Sequence, residues 1–267
     1  MNRLHLFELE DQPWFPRVLR DAGTAFLEFA ARVAGHSAAL APKLEATLAA
    51  CGEKRIVDLC SGGAGPVAAI VDVLARRGVE VHALLTDFYP NEGSLARVCA
   101  RSAGRIDWLS EPVDARHVPR ELAGVRTIFN ALHHFRPDAA RGILADAAEA
   151  GRPIAIFEVI GREPAPLIGV LFAPLFFALS LPFLRPFQWL WIPFTYLVPI
   201  LPLFVLWDGL VSCFRIYSPR ELRALVDSLE PRHRDAQIWD IGRIRLPGPP
   251  TYASYLVGVP RSAQSPS

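Results

Sequence analysis

The sequence is short of the marks that would place it in several common classes. Its four cysteines, Cys51, Cys60, Cys99 and Cys213, lie far apart with no Cys-x-x-Cys pair. That excludes a zinc ribbon and a disulfide scaffold, and no metal is expected from this spacing. Neither sign of charge is in excess: 28 Lys and Arg stand against 27 Asp and Glu, for a net charge of +1. A strongly basic nucleic-acid binder and an acidic-tail protein are excluded by that balance. Glu8, Glu10 and Asp11 stand where the apolar part of a secretory leader would lie, which argues against one. There is no internal repeat. Charge is also missing from one long stretch. The 44 residues 164–207 carry only Arg185, where the chain average of 21% would give about nine charges.

What remains is ample for a core. The chain has 267 residues, 51% of them hydrophobic, enough for one α/β domain with an insertion. Residues 13–50 read as helices. Short apolar runs then alternate with helical stretches. Strands are expected at Arg55–Leu59, Val79–Leu85, Ile106–Leu109, Arg126–Leu132 and Pro153–Ile160. Helices are expected at Pro66–Arg77, Asn91–Gly104 and from Pro137 to Ala150. This β-then-α order predicts a parallel sheet with helices on both faces. Ser218-Pro-Arg-Glu221 is a capping box that starts one more helix. Ala236–Ile244 and Tyr252–Val259 are joined by a short turn at Pro247–Pro250. A pair so connected must be antiparallel, because a parallel pair needs a crossover. The polar tail Ser262–Ser267 is expected to be disordered.

One strand runs into a glycine-rich turn, Asp58-Leu-Cys-Ser-Gly-Gly-Ala-Gly65. Glycines let backbone approach a ligand closely, and the helix that follows offers free N–H groups to an anionic one. Asp87 ends the next strand, 22 residues beyond Gly65, where a carboxylate can accept from ribose hydroxyls. Asp114-Ala115 follows the third strand, and Asn130-Ala-Leu-His-His-Phe135 the fourth.

Taken in this order, the motifs resemble those of the class I S-adenosylmethionine-dependent methyltransferases, over about residues 54–160 and 216–259. The resemblance implies a Rossmann-like sheet with an antiparallel last strand, S-adenosylmethionine as cofactor, and methyl transfer as the activity. It implies that Asp58 and the turn Cys60, Ser61, Gly62, Gly63 and Gly65 face the methionine part. Asp87 would face the ribose and Asp114-Ala115 the adenine, with Asn130 closing the cofactor site. Cys60 and Ala64 depart from the pattern, standing where glycine is common, and Asn130 stands in a strand that often begins with an acid. Two other readings stay open. Gly63-Ala-Gly-Pro-Val-Ala68 fits a dinucleotide G-x-G-x-x-A turn, with NAD as ligand and an oxidoreductase as the function. The departures would also suit a non-catalytic membrane protein that retains the fold.

For chemistry, His133 and His134 are base candidates, since histidine titrates near neutrality. Glu158, in an apolar run, needs a partner or its pKa rises. Tyr217 is a candidate donor to the acceptor, and Arg215 to an anionic group or to Asp208. Adjacent histidines in a strand would point to opposite faces, which argues against joint metal ligation. The resemblance also implies that the Glu8–Arg20 segment covers the cofactor.

Residues 164–207 hold 8 prolines and 11 aromatic residues. Each half has the length of a span, yet the prolines break helices. Both ends return to one domain, so a single crossing is excluded. A two-helix hairpin turning at Arg185-Pro186 and a kinked element dipping into the interface remain. The prolines and the amphipathic aromatics favour the latter. A buried lid or a dimer interface is the soluble alternative. The expected organisation is an N-terminal helical cap (1–53), a core (54–163), a membrane-associated insert (164–207), the rest of the core (208–261) and the tail (262–267). A greasy insert beside the site suggests a lipid-, quinone- or polyprenyl-like acceptor. The catalytic part is expected on the cytoplasmic side of the membrane, where S-adenosylmethionine is made.

Overall fold

The structure is a computed structural model, and it describes residues 3–159, 161–248 and 250–264. Residues 265–267 of the expected disordered tail, Ile160 of the expected fifth strand and Pro249 of the expected turn lie outside the described residues.

Two helices lead, α1 (Arg17–Ala34) and α2 (His36–Cys51). Then follow β1 (Arg55–Asp58), α3 (Gly65–Arg76), β2 (His82–Leu85), α4 (Glu92–Arg101), β3 (Ile106–Trp108), β4 (Val125–Phe129), α5 (Pro137–Glu149) and β5 (Ile154–Glu158). Short helices fill the low-charge stretch: α6 (Pro164–Leu171), α7 (Ala173–Ser180), α8 (Trp191–Tyr196) and α9 (Ile200–Arg215). The chain closes with α10 (Pro219–Asp227), α11 (Pro231–Arg234), β6 (Gln237–Arg245) and β7 (Tyr252–Pro260). A 3-10 turn at Arg261–Gln264 covers the described part of the tail.

The seven strands form one sheet in the order β3-β2-β1-β4-β5-β7-β6. The first five are parallel, and β7 lies antiparallel between β5 and β6. The strand order reverses between β1 and β4, so their carboxyl ends open onto the crevice where ligands bind in such sheets. A six-stranded all-parallel dinucleotide sheet has no antiparallel seventh strand; the insertion of β7 favours the methyltransferase arrangement.

The central strands β1, β4 and β5 are buried on both faces. In β1, Ile56 joins a core with Leu44 and Leu48 of α2 and Ile70 and Leu74 of α3. Val57, its neighbour, points to the opposite core with Ile143 of α5 and Leu222 and Leu225 of α10. That is the two-residue alternation of a strand covered by helices on each side. The capping box is present at α10: Ser218 accepts from the Glu221 amide, and Glu221 accepts from the Ser218 amide.

A third core joins the N-terminal helix to the low-charge stretch. Phe15, Leu19, Ala22 and Phe26 pack with Phe177, Trp191, Leu201 and Phe204. Prolines divide the stretch into short helices, and α9 runs without a break through 207 and 208. Among the described residues no single helix is long and apolar enough to cross a membrane. The bent pair Pro164–Leu171 and Ala173–Phe183 reaches that length with a 48° break. Many of its side chains face outward, including Ile168, Leu171, Phe172, Leu175 and Leu179.

Candidate functional site

The carboxyl edge of the sheet has two corners. At the first, β1 ends in Asp58, which is buried. Ser61 Oγ donates to Asp58 Oδ2 at 2.7 Å and Thr127 Oγ1 to Oδ1 at 2.6 Å. Burial pushes the Asp58 carboxyl up to about 7; the two hydroxyls pull it down and Asp87 adds to the rise. Both carboxylate oxygens are thereby spent on holding the turn. Cys60 and Ala64 have φ of 58° and 63°, the left-handed region that costs a side chain roughly 1–2 kcal/mol. The two departures from glycine therefore sit at positions whose backbone calls for it, and the turn keeps its shape at the cost of strain. Burial raises the Cys60 thiol well above its ordinary range, with Asp87, Asp58 and Asp114 adding to the rise, so it stays protonated.

Asp87 follows β2 and closes the corner. Its Oδ2 accepts from the Gly62 amide at 2.8 Å and its Oδ1 from the Tyr89 amide at 2.8 Å. Space is open at Gly62, where an added carbon would meet nothing within 4 Å. Gly63 is the reverse: an added carbon would lie 2.5 Å from Thr24 Cγ2 and 2.3 Å from Glu28 Oε1. Helix α1 thus roofs the turn. A cavity of about 140 Å³ beside it is lined by Thr24, Glu28, Asn91, Gly93, Arg97 and Arg185, among others. Burial moves Glu28 up to about 7 against the pull of Arg97, Arg32 and Arg101. Gly65 opens α3, with Pro66 as its second residue, and a helix N-terminus carries a partial positive charge.

Asp114 lies farther out. It binds Arg116, with Nη2 to Oδ2 at 2.6 Å, and this bond holds its carboxyl below the ordinary range. Ala115 is buried in the core that contains α5. Asn130, directly after β4, adopts φ 51°, and its Oδ1 accepts from the Val159 amide at 2.8 Å. It ties β4 to the exit of β5.

The second corner is closed and polar. His133 and His134 sit in a 3-10 turn, Leu132–His134, after β4 has ended at Phe129. The expectation of opposite-facing histidines is corrected by this: a tight turn sends both rings one way, with centroids 4.3 Å apart. Glu158, the last residue of β5, is fully buried. Its Oε2 lies 2.7 Å from His133 Nδ1, and its Oε1 accepts from the His133 amide at 3.2 Å.

The N-terminal segment lies over this pair. Glu8 is fully buried, and its Oε1 accepts from Ser212 Oγ at 2.9 Å. Asp11 Oδ1 is 2.9 Å from His134 Nδ1, and Asp11 Oδ2 accepts from Arg215 at 2.6 Å. Burial alone would lower the His134 pKa, but the bond to Asp11 and the charges of Glu8, Asp11 and Glu10 raise it to about 9. His134 is therefore a cation near neutrality. Arg215 also donates to the carbonyls of His133 and His134. Its carboxylate partners are Asp11 and Glu8, and Asp208 is otherwise engaged, accepting from the amides of Leu9 and Glu10. Tyr217 donates to the Phe135 carbonyl at 2.8 Å beneath the Arg3 guanidinium; burial lifts its hydroxyl to about 12. That oxygen is occupied by backbone.

Thus Asp58, Ser61, Gly62 and Asp87 are brought together at one corner, and His133, His134 and Glu158 at the other. Asp114 and Tyr217 stand at the periphery. The Glu8–Arg20 segment divides: Glu8 and Asp11 cover the histidines, while the glycine-rich turn is roofed by the later residues Thr24 and Glu28. Sequence reasoning missed Arg3, Glu8 and Asp11 as site residues. The acidic run at 8–11 was the visible signal, but nothing local links it to residue 133.

No family model matches the chain, and no curated protein is significantly similar to it. Solved structures share its fold. The pyocyanin biosynthetic protein PhzM matches with a TM-score of 0.53 and 16% identity, over 94% of this chain and 60% of that one. The mitomycin 7-O-methyltransferase MmcR matches with a TM-score of 0.50 and 14% identity, over 84% of this chain and 53% of that one. The fold is that of a class I methyltransferase. The chain spans little more than half the length of these two proteins.

Proposed function

We propose that the protein transfers a methyl group from S-adenosylmethionine to an oxygen of a small hydrophobic acceptor, at a membrane surface. The observation that carries this reading is the Gly62–Asp87 bond, set at the strand-order reversal with space left open over Gly62. The residues fit the cofactor: the turn backbone at Gly62 and Gly63 and the first turn of α3 would hold the methionine part, and Asp87 the ribose. Bound there, S-adenosylmethionine supplies an electrophilic methyl group on a sulfonium. The chain's own task is to orient the acceptor, exclude water and take its proton. His133 suits the last task. With Nδ1 paired to Glu158, its Nε2 is the proton-accepting atom. The segment carrying Glu8 keeps water from this pair, and acceptor entry requires it to move aside. That MmcR is a 7-O-methyltransferase supports oxygen as the acceptor atom.

The membrane part is supported by the low-charge stretch. Trp189 is 78% exposed, and Tyr196 and Leu197 also face outward beside the apolar faces of α6 and α7. Exposed aromatics around an apolar face favour the bilayer interface, and the short kinked helices suit a segment that lies in one leaflet.

Calorimetry with S-adenosylmethionine, S-adenosylhomocysteine and NAD tests the cofactor, with Asp87→Ala as control. Binding of the first two, lost in the variant, is expected; binding of NAD alone would overturn the reading. Flotation with lipid vesicles tests the surface: the intact chain floats, and a chain with residues 165–207 replaced by a short linker does not. A second reading, a fold retained without catalysis, is favoured by the strained Cys60 and Ala64 and by the burial of His133. It would give cofactor binding without turnover on any lipid or quinone acceptor.

A further inference from the structure

We propose that Glu8, His133 and His134 bind a divalent transition ion of the zinc type. One ligand atom from each residue lies within 4.8 Å of the other two. Glu8 Oε1 is 3.8 Å from His133 Nε2, and Glu8 Oε2 is 3.2 Å from His134 Nδ1. Tetrahedral zinc with bonds near 2.0–2.2 Å holds its ligand atoms about 3.3 Å apart, so from separations of up to 4.8 Å the side chains close in on the ion by side-chain rotation.

Two further observations point to a ligand. Glu8 Oε2 is buried and makes no hydrogen bond, although it lies within ion-pair reach of His134. The charged His134 ring meets this oxygen without bonding it, and a bound ion would supply the bond it lacks. The second is the orientation of His133. Glu158 holds its Nδ1 at 2.7 Å, which fixes the ring and leaves Nε2 toward Glu8. A carboxylate behind an imidazole in this way orients metal ligands and strengthens them as donors.

The neighbouring charges allow the exchange. Arg215 approaches Glu8 Oε1 at 3.4 Å, but its nearer partner is Asp11 at 2.6 Å. Asp11 also holds His134 Nδ1 at 2.9 Å. When the ion enters, His134 releases its Nδ1 proton to solvent, Asp11 passes wholly to Arg215, and His134 Nδ1 and Glu8 turn to the metal. Two nitrogens and one carboxylate, with one position left for water, suit zinc. The ion cross-links the N-terminal segment to the turn after β4. It also occupies His133 Nε2, so the loaded protein is the closed form. The inference stands on the geometry of this cluster and is independent of methyl transfer.

The test uses the full chain, stripped with a chelator and dialysed against zinc. Elemental analysis is expected to give one equivalent, and the melting temperature to rise on loading. Glu8→Gln and His134→Ala are each expected to lose the equivalent, and His82→Ala, a surface histidine, to keep it. Cobalt in place of zinc is expected to give the intense visible absorption of a four-coordinate site. Failure of the wild-type protein to retain zinc, or equal retention by the Glu8 and His134 variants, would overturn the site. Should those variants fail to fold, the cobalt spectrum of the wild-type chain decides, and a weak octahedral spectrum counts against the site. Cofactor calorimetry on the stripped protein reads the proposed function separately.

Discussion

At the first corner of the sheet edge, the bonds span 3 to 69 positions: Ser61 to Asp58 across 3, Gly62 to Asp87 across 25 and Thr127 to Asp58 across 69. At the second, His134 reaches Asp11 across 123 positions and Arg215 reaches Asp11 across 204. The first corner is a turn between consecutive elements. The second exists only once the N-terminal segment, the turn after β4, the end of β5 and the end of α9 have met. A local turn stays formed with part of its surface open, and can receive a ligand. A corner assembled from four distant pieces is sealed by the charges that assemble it.

Arg215→Ala should break the second corner alone and have the largest effect. It leaves the buried Glu8 and its neighbour Asp11 facing no guanidinium, a loss of about 3–5 kcal/mol in stability. Urea unfolding reads that loss, and cofactor affinity should hardly move. A loss below 1 kcal/mol would mean that the N-terminal segment is not docked as described. Asp87→Ala should do the reverse. Cofactor affinity falls by about 1–3 kcal/mol, the cost of unpaired polar groups, with little change in unfolding; calorimetry measures it. Gly63→Ala tests the roof of the first corner. Its new carbon must displace Thr24 and Glu28, at about 1–3 kcal/mol for overpacking, and should shift α1, seen as faster amide exchange across α1.

A further effect is a slope with pH. Folding raises Glu28 from 4.5 to about 7, so the folded state keeps this proton longer than the unfolded one. Stability from this group is fully present below pH 4.5 and is lost as pH rises toward 7. Glu28→Gln should flatten that part of the curve of unfolding free energy against pH. An unchanged slope would place Glu28 in water.

Much of the first corner was legible because it is written in consecutive residues. The glycine turn, the acid after β2 and the capping box of α10 each depend on spacings of a few residues, and each stands where the spacing put it. Strand ends were set too late: the fourth strand stops at Phe129, three residues before Leu132. Asn130 turns the chain with its positive φ, which an apolar pattern cannot reveal. That early stop is what swings His133 and His134 to one side. The sequence offers Arg215 an anionic group or Asp208 as its partner. Proximity in sequence suggested the pairing; docking of the N-terminal segment gave Asp208 two backbone amides and Arg215 two carboxylates.

The sequence by itself determined the alternation of strands and helices, the antiparallel closing pair and the glycine-rich turn, because apolar period, glycine and capping act within a few residues of one another. It also determined that residues 164–207 must hide from water or meet lipid, because composition alone sets that free energy. Only the tertiary structure decided which carboxylates face His133 and His134, where Arg215 is spent, and that α1 roofs the turn. These depend on burial and on Coulomb attraction between residues that the chain keeps 25 to 204 positions apart, and no local pattern records which of them will meet.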